Sequence, residues 1–411
     1  MASVVTIPDQ TLQFIEQEEH YGAHNYHPLP VVLERGQGVF VWDVEGRRYY
    51  DFLSGYSAVN QGHCHPVILK AFTEQAKKLT LTSRAFHSKE LSEFTEFITQ
   101  FFGYDKVLPM NTGVEAVETA IKLCRKWAYK VKGIEENKAV IIVCQGNFHG
   151  RTTGVISFSS DPTARKDYGP YMPGYVSIPF NDTNALEQAL KDSNVAGFLV
   201  EPIQGEAGVI VPEEGYLKKA KKLCEDADVL FIADEIQTGL GRTGKMLACD
   251  HEDVRPDILI LGKALGGGMM PVSAVLCDDA IMLTIQPGEH GSTYGGNPLA
   301  CRTAIVALQV LKDEQMSENA TAMGNLFRQG LKQLNSKHIG VIRGKGLFNA
   351  IVIDHFKKES AWELCLEMKA NGLLAKQTQG DKIRFAPPLL IKKEQIEESI
   401  EIIRKSLSCL D

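Results

Sequence analysis

Five short apolar runs constrain the fold of this chain more than any other feature. They occupy residues 139–144, 197–200, 229–233, 257–261 and 271–276. Each is continuous rather than alternating, and most are rich in β-branched residues. Strands buried on both faces of a mostly parallel sheet read this way. Helical spacing falls between some of the runs. Leu217, Ala220, Leu223, Cys224 and Ala227 keep it just before the run at 229. Alternation of this kind predicts α/β layers.

The two ends of the chain read differently. Residues 39–43 and 48–52 flank a turn at Glu45-Gly46 and predict a small antiparallel unit. Asn297-Pro298 opens a long helical tract. After it come an apolar run at 347–353 and a final helix with Ile396, Ile400, Ile403 and Leu407 on one face. The expected division is a large domain over 57–300 and a smaller α+β domain over 301–411. Residues 1–56 would form an N-terminal segment folded against the smaller one. A length of 411 residues suits two or three such units.

Charge and composition exclude several function classes. Lys and Arg number 44 against 51 Asp and Glu, a net charge of −7. A nucleic-acid binder would carry a basic surplus, so no nucleic-acid partner is expected. No apolar run approaches the roughly 20 residues of a membrane span, so no membrane partner is expected either. No Lys or Arg precedes Arg35, whereas Asp9, Glu16, Glu18 and Glu19 do. Presequences need early positive charge. The expected location is therefore cytoplasmic, or the chain is a form lacking its presequence. Nine scattered cysteines, odd in number and without a Cys-x-x-Cys, suit a reducing compartment.

Two strand ends carry the sharpest chemical signal. Asp234 closes the run at 229–233, and Lys263 lies just past the run at 257–261. In open α/β sheets ligands bind outside the carboxyl ends of the strands. An Asp and a Lys there could form an ordinary ion pair. The glycines around Lys263 (Gly262, Gly266, Gly267, Gly268) instead let the backbone bend around something close. A lysine so placed can form a Schiff base with an aldehyde. The glycines do not match a G-x-G-x-x-G dinucleotide fingerprint, which argues against a nicotinamide oxidoreductase.

Three further segments are candidates. Asn111 or Thr112 would cap a helix bearing Val114, Val117, Ile121 and Cys124. With Gly113 at its start, that helix could seat a phosphate or simply be a well-capped helix. The loop 288–298, with Ser292 and Thr293 among four glycines, could bind phosphate from the side or merely turn the chain. In the segment 145–153, Phe148 could stack on a flat ring and Arg151 could hold a carboxylate, or be a core aromatic and a surface arginine. His63-Cys64-His65 resembles a metal set. However, Pro66 follows and no further ligand cluster accompanies it, so a structural turn and no metal are expected.

Taken together, these residues resemble the fold-type I, class-III aminotransferases that use pyridoxal 5'-phosphate. Within them the match is to the subgroup acting on terminal amines, its ornithine-using members above all. The resemblance runs from about Tyr21 to the last helix. It is carried by residues 23–30, 52–63 and 288–297 together with the cofactor motifs. It implies a large domain with a mostly parallel, seven-stranded-type sheet between helices, plus a smaller α+β domain. It further implies that Lys263 would hold the cofactor and shuttle a proton, and that Asp234 would pair with the pyridine nitrogen. Gln237 would bond the ring hydroxyl and Phe148 would cover the ring. Gly113 and Val114 would bind the phosphate through backbone N–H groups. Ser292 and Thr293 would reach the phosphate from a neighbouring subunit, making the active unit a homodimer.

The substrates implied are an amino acid and a 2-oxo acid. By the same resemblance, Tyr26 and Arg151 would take the α-carboxylate of ornithine and Tyr56 would narrow the pocket. Arg384 would bind the α-carboxylate of glutamate and would pair with Glu206 when that carboxylate is absent. Without the resemblance, Glu206 and Arg384 would read as ordinary surface charges. The competing expectations are an acetylornithine or other ω-amino-acid aminotransferase and, more distantly, a semialdehyde aminomutase.

Overall fold

The structure is a computed structural model and describes residues 7–354 and 360–411. Seven strands form the central sheet. From one edge to the other they are Lys106–Met110, Ser273–Cys277, Ile258–Leu261, Leu230–Asp234, Val195–Val200, Val140–Cys144 and Tyr175–Ile178. All five apolar runs are strands of this sheet, within two residues of their expected ends. The strand Ser273–Cys277 runs antiparallel to both neighbours. An apolar run carries no sign of its direction, so this reversal becomes visible only in the assembled sheet.

Both faces of the sheet are covered, which is why its strands do not alternate. Ile141, Val143, Leu199, Ile232 and Ile260 pack under the helix Gly113–Trp127. The intervening residues Ile142, Phe198, Val200 and Phe231 pack under the helix Tyr216–Asp226. Further along, Leu259, Leu261, Ala274 and Leu276 share a core with the helix Pro298–Asp313. Asn297 caps that helix by accepting from the Ala300 N–H at 2.8 Å. Each large aliphatic side chain buried this way contributes roughly 1.5–3 kcal/mol.

The two edge strands, Lys106–Met110 and Tyr175–Ile178, are the ones the apolar pattern misses. Both are partly exposed, and Pro109 interrupts the first. An edge strand need bury less and so carries a weaker apolar signature.

The ends of the chain come together. The strands Leu33–Gln37, Phe40–Asp43 and Arg48–Asp51 form an antiparallel unit, and Leu373–Leu374 pairs parallel with its last strand. A further sheet has the order Ile339–Lys345, Phe348–Ile353, Lys382–Phe385, Lys376–Thr378. Phe52 and Phe385 both pack on Phe327 of the helix Met316–Gln333, with ring centroids 5.6 and 5.4 Å away. The last helix is Lys393–Ser406, and Leu407 lies just past it in a 3-10 turn.

Arg242 ties these parts to the large sheet. Fully buried, it donates to the carbonyls of Leu347 (3.0 Å) and Pro387 (2.7 Å) and to Asn60 Oδ1 (2.6 Å). Burial pulls its pKa down to about 9.

His63 and His65 face different partners, Asp51 Oδ2 at 2.7 Å and Glu314 Oε1 at 3.0 Å. Among the described residues no group of three or more His, Cys, Asp or Glu side chains could hold a metal ion.

Candidate active site

The parallel strands deliver their functional side chains to one end of the sheet. Asp234 ends the strand Leu230–Asp234. Glu201 follows Val195–Val200, and Phe148 and His149 follow Val140–Cys144. Lys263 follows Ile258–Leu261 and opens a 3-10 turn, with a left-handed φ of 46°. The glycines that flank it allow this bend. Gly267, for example, has φ 58°, and a Cβ there would meet Ile68 at 2.9 Å.

A cavity of about 260 Å³ lies between these ends. Gly113, Val114, Phe148, Arg151, Asp234, Gln237 and Lys263, all expected from the sequence, line it together. A second cavity of about 330 Å³ adjoins it, sharing Phe148 and His149 and reaching Glu206.

The Lys263 amine makes no hydrogen bond among the described residues. Burial presses its amine below the ordinary lysine pKa, against the pull of the Glu206 and Asp234 carboxylates. A larger share of neutral amine is what a nucleophile or proton carrier needs.

Asp234 is 4% exposed. Its Oδ2 accepts from His149 Nδ1 at 2.7 Å and its Oδ1 from the Ile236 N–H at 3.1 Å. Burial works against a charge on His149, but the bonded Asp234 carboxylate outweighs it and the imidazole pKa rises above the ordinary value. His149 thereby holds the Asp234 carboxyl group in a nearly dry place.

Glu201 sits beside this pair. Its Oε1 accepts from the Phe148 N–H at 2.8 Å and its Oε2 from the Gly205 N–H at 3.4 Å. Burial first, and then the like charge of Asp234, push its pKa up to about 7, with His149 opposing.

The phosphate candidate is a helix N-terminus with two free donors. Thr112 caps the helix Gly113–Trp127 and forms a capping box with Glu115. Glu115 Oε2 accepts from the Thr112 N–H at 2.7 Å. The N–H groups of Gly113 and Val114 keep no partner among the described residues. Gly150 lets its loop close on this turn, since a Cβ there would lie 2.5 Å from Val114 Cγ2. Free N–H groups and the helix dipole both favour an anion here.

At the other end of the pocket, Glu206 and Arg384 form an ion pair through Oε1 and Nη1. Arg384 is 3% exposed, and its guanidinium lies 5.3 Å from the Tyr56 ring centroid. Its Nε has no partner among the described residues. Gln237 Nε2 reaches the Tyr56 carbonyl at 3.4 Å and Glu206 Oε1 at 3.5 Å. Gly205 makes room for it, because a Cβ there would collide with Gln237 Oε1 at 1.8 Å.

Four sequence-expected residues are exposed or lie outside the closed part of the pocket, Arg151 at its lining and the others away from it. Tyr26 is 74% exposed, though near enough to act electrostatically on Tyr56. Ser292 does not line the cavity and accepts instead from Asn111 Nδ2 at 2.9 Å and from the Gly295 N–H at 3.0 Å. Thr293 beside it is exposed. Arg151 is exposed too, with its guanidinium 5.4 Å from the Phe148 ring.

This arrangement combines an amine of lowered pKa, a buried carboxylate, an aromatic face and an anion seat in one cavity. Comparison with known proteins identifies the family. The model for aminotransferase class-III matches residues 21–407.

The chain belongs to the class-III aminotransferases.

Among relatives of this class-III aminotransferase is the rat protein named ornithine aminotransferase, mitochondrial. The two are 62% identical over 400 residues, 97% of this chain and 91% of the relative. The acetylornithine aminotransferase of Elizabethkingia anophelis is 57% identical, with a TM-score of 0.89 over 97% of this chain and 99% of that one. An ornithine aminotransferase from Toxoplasma gondii, described with partial occupancy of the cofactor in its active site, is 47% identical. Its TM-score is 0.95 over 97% of this chain and 94% of that one. Class-III aminotransferases use pyridoxal 5'-phosphate, and the donor set here fits it: two free amides, a carboxylate, an aromatic face and an unpaired amine.

Sequence reasoning missed His149, Glu201 and Glu115 in this class-III aminotransferase. All three lie within or beside segments that the motif reading had already singled out. Their signal is a polar residue adjoining a strand end, which is common on any surface. What makes His149 and Glu201 part of the site is burial and a partner distant in the chain, whereas Glu115 joins it through the capping box with Thr112.

Proposed function

We propose that the chain moves the δ-amino group of ornithine to 2-oxoglutarate, giving glutamate 5-semialdehyde and glutamate. The observation that carries this reading is the pair of Glu206 with buried Arg384, beside Tyr56 and within electrostatic reach of Lys263. Ornithine must present its δ-amine while its α-amine stays away. Glutamate must present its α-amine and needs a cation for its α-carboxylate. Arg384 supplies that cation. Glu206 covers it when no carboxylate is bound, since a buried unpaired arginine costs several kcal/mol. The relatives named for ornithine agree with this assignment.

Each residue then has a task. Lys263 anchors the cofactor and carries the proton at the reacting carbon. Asp234, steadied by His149, would pair with the ring nitrogen. Phe148 would cover the ring, Gln237 would bond the ring hydroxyl, and the Gly113 and Val114 amides would take the phosphate. Tyr26 and Arg151 bind the ornithine α-carboxylate, and Tyr56 narrows the channel beside the δ-carbon. Pyridoxal phosphate, when bound, supplies an aldehyde for amine exchange and a ring that accepts negative charge.

A homodimer belongs to the same reading, with Ser292 and Thr293 reaching the neighbouring phosphate. A fully active monomer in sedimentation would contradict it. The division into segments 1–56, 57–300 and 301–411 belongs to this reading as well. It rests on the Leu373–Leu374 pairing, which joins the N-terminal unit to the C-terminal part.

Cytoplasmic residence is proposed from the free cysteines; the rat relative is named mitochondrial. Cell fractionation separates the two. No described helix is long and apolar enough to cross a membrane.

The second reading is an acetylornithine aminotransferase, favoured by the Elizabethkingia anophelis neighbour. A coupled assay for glutamate semialdehyde, run with ornithine and with N-acetylornithine against 2-oxoglutarate, decides between them. A higher kcat/KM for N-acetylornithine would overturn the first reading.

A further inference from the structure

Tyr26 is exposed, yet the reading above asks it to hold a substrate carboxylate at a defined place. Its segment has few ties. Among the described residues, two hydrogen-bonding or ring contacts join residues 23–28 to the C-terminal part of the molecule, and both involve His27. The His27 ring stacks on Trp362 with centroids 4.3 Å apart and planes 20° from parallel. The His27 carbonyl accepts from Lys376 Nζ. That same ammonium lies 4.5 Å from the Trp362 ring centroid, on which a cation is also attracted. Imidazole, indole and ammonium therefore form one cluster, and the residue next to it in the chain is Tyr26.

The strand that supplies Lys376 also organises the other carboxylate site. In the antiparallel pairing of Lys376–Thr378 with Lys382–Phe385, Lys376 lies directly opposite Arg384. Directly opposed residues keep their Cα atoms about 4.5–5.5 Å apart. Two residues on, Thr378 Oγ1 donates to the Glu206 carbonyl at 2.9 Å. One three-residue strand thus fixes Arg384, Glu206 and the anchor of Tyr26 relative to one another.

We infer that Trp362, with Lys376, is a specificity-determining positioning pair that sets the distance from Tyr26 to the Glu206–Arg384 site and so selects a diamine bearing a carboxylate at its far end. This rests on the ornithine reading. Neither residue lines the cavity around Lys263, so neither is catalytic.

The test measures kcat/KM separately for each half-reaction of the loaded enzyme. Trp362→Ala should lower kcat/KM for ornithine about tenfold, through KM rather than kcat. The value for 2-oxoglutarate should stay within about twofold. 1,4-Diaminobutane, which is ornithine without its carboxylate, should keep its wild-type rate. Trp362→Phe keeps a stacking face and should restore most of the ornithine value. Lys376→Met, at a partly exposed site, should show an intermediate loss and covers the case in which Trp362→Ala folds poorly. Equal losses for all three substrates, or an unchanged ornithine value, would overturn the inference. Wild-type enzyme inactive on ornithine would remove the underlying reading before any variant is made, and the inference with it.

Discussion

The two ends of the pocket are built on opposite plans. At the cofactor end, Asp234, His149 and Glu201 are buried and bonded to one another or to backbone N–H groups. At the substrate end, Tyr26 and Arg151 are exposed, and the Glu206–Arg384 pair joins a buried cation to a partly exposed carboxylate. A cofactor that stays bound through both half-reactions would keep its phosphate and ring in one seat, so that seat can be fixed and dry. Two substrates with different carboxylate positions must use the other end in turn. Charges there need a partner that can be exchanged, and a partly wet Glu206 can move aside at lower cost than a fully buried one.

Substitutions at the cofactor end should therefore be severe, and those at the substrate end selective. The largest effect belongs to Lys263→Ala. It should lower kcat by about 10⁴-fold, a full general acid–base contribution, and abolish borohydride fixation of the chromophore to the protein. Label retained on another lysine would break the assignment.

Asp234→Ala comes next. It should lower kcat by about 10²–10³-fold, the scale of losing one preorganised electrostatic contact. It should also drop the His149 pKa below the ordinary imidazole value, because the lowering effect of burial, the largest of the influences, would then be opposed by the Glu201 carboxylate alone. Nuclear magnetic resonance titration of His149 reads the second effect without any turnover.

Glu201 sharpens the contrast through pH. Its pKa is higher in the fold than in the unfolded chain, so the folded state binds its proton more tightly. The stability tied to that proton is fully present below about 4.5 and is lost as pH rises through about 7. The difference corresponds to about 3 kcal/mol. Glu201→Gln should flatten the melting temperature between pH 5 and 8. A wild-type profile already flat over that range would contradict the burial argument.

At the substrate end, Glu206→Ala should leave the ornithine rate within about tenfold of wild type while relaxing the choice between α- and δ-amines by about tenfold. Product analysis with ornithine measures this, and unchanged regiospecificity would remove the gate. The smallest effect is expected from Tyr56→Ile. It should favour ω-amino acids lacking an α-carboxylate by about fivefold, which ranked kcat/KM values over a set of such donors would show.

Much of the fold was legible because burial on both faces leaves a mark in composition. The strands ending at Cys144, Val200, Asp234 and Leu261 could be read as continuous apolar runs. The edge strand at Tyr175 could not, because an edge buries less. The direction of Ser273–Cys277 was illegible for another reason: a run of apolar residues reads alike both ways. Lys263 and Asp234 stood out as charges directly after such runs, where a polar side chain faces the crevice. His149 and Glu201 did not, although they sit at equivalent strand ends. Their roles depend on a carboxylate 85 residues away from His149 and on the N–H of a loop 53 residues from Glu201.

By itself the sequence determined the layered fold, the family resemblance and the residue types at the strand ends, since each follows from local composition and short spacing. Tertiary structure alone decided which charges are dry, which are paired and how far apart the two carboxylate sites stand. Those properties depend on the dielectric and the partners around each group, and segments distant in the chain supply both.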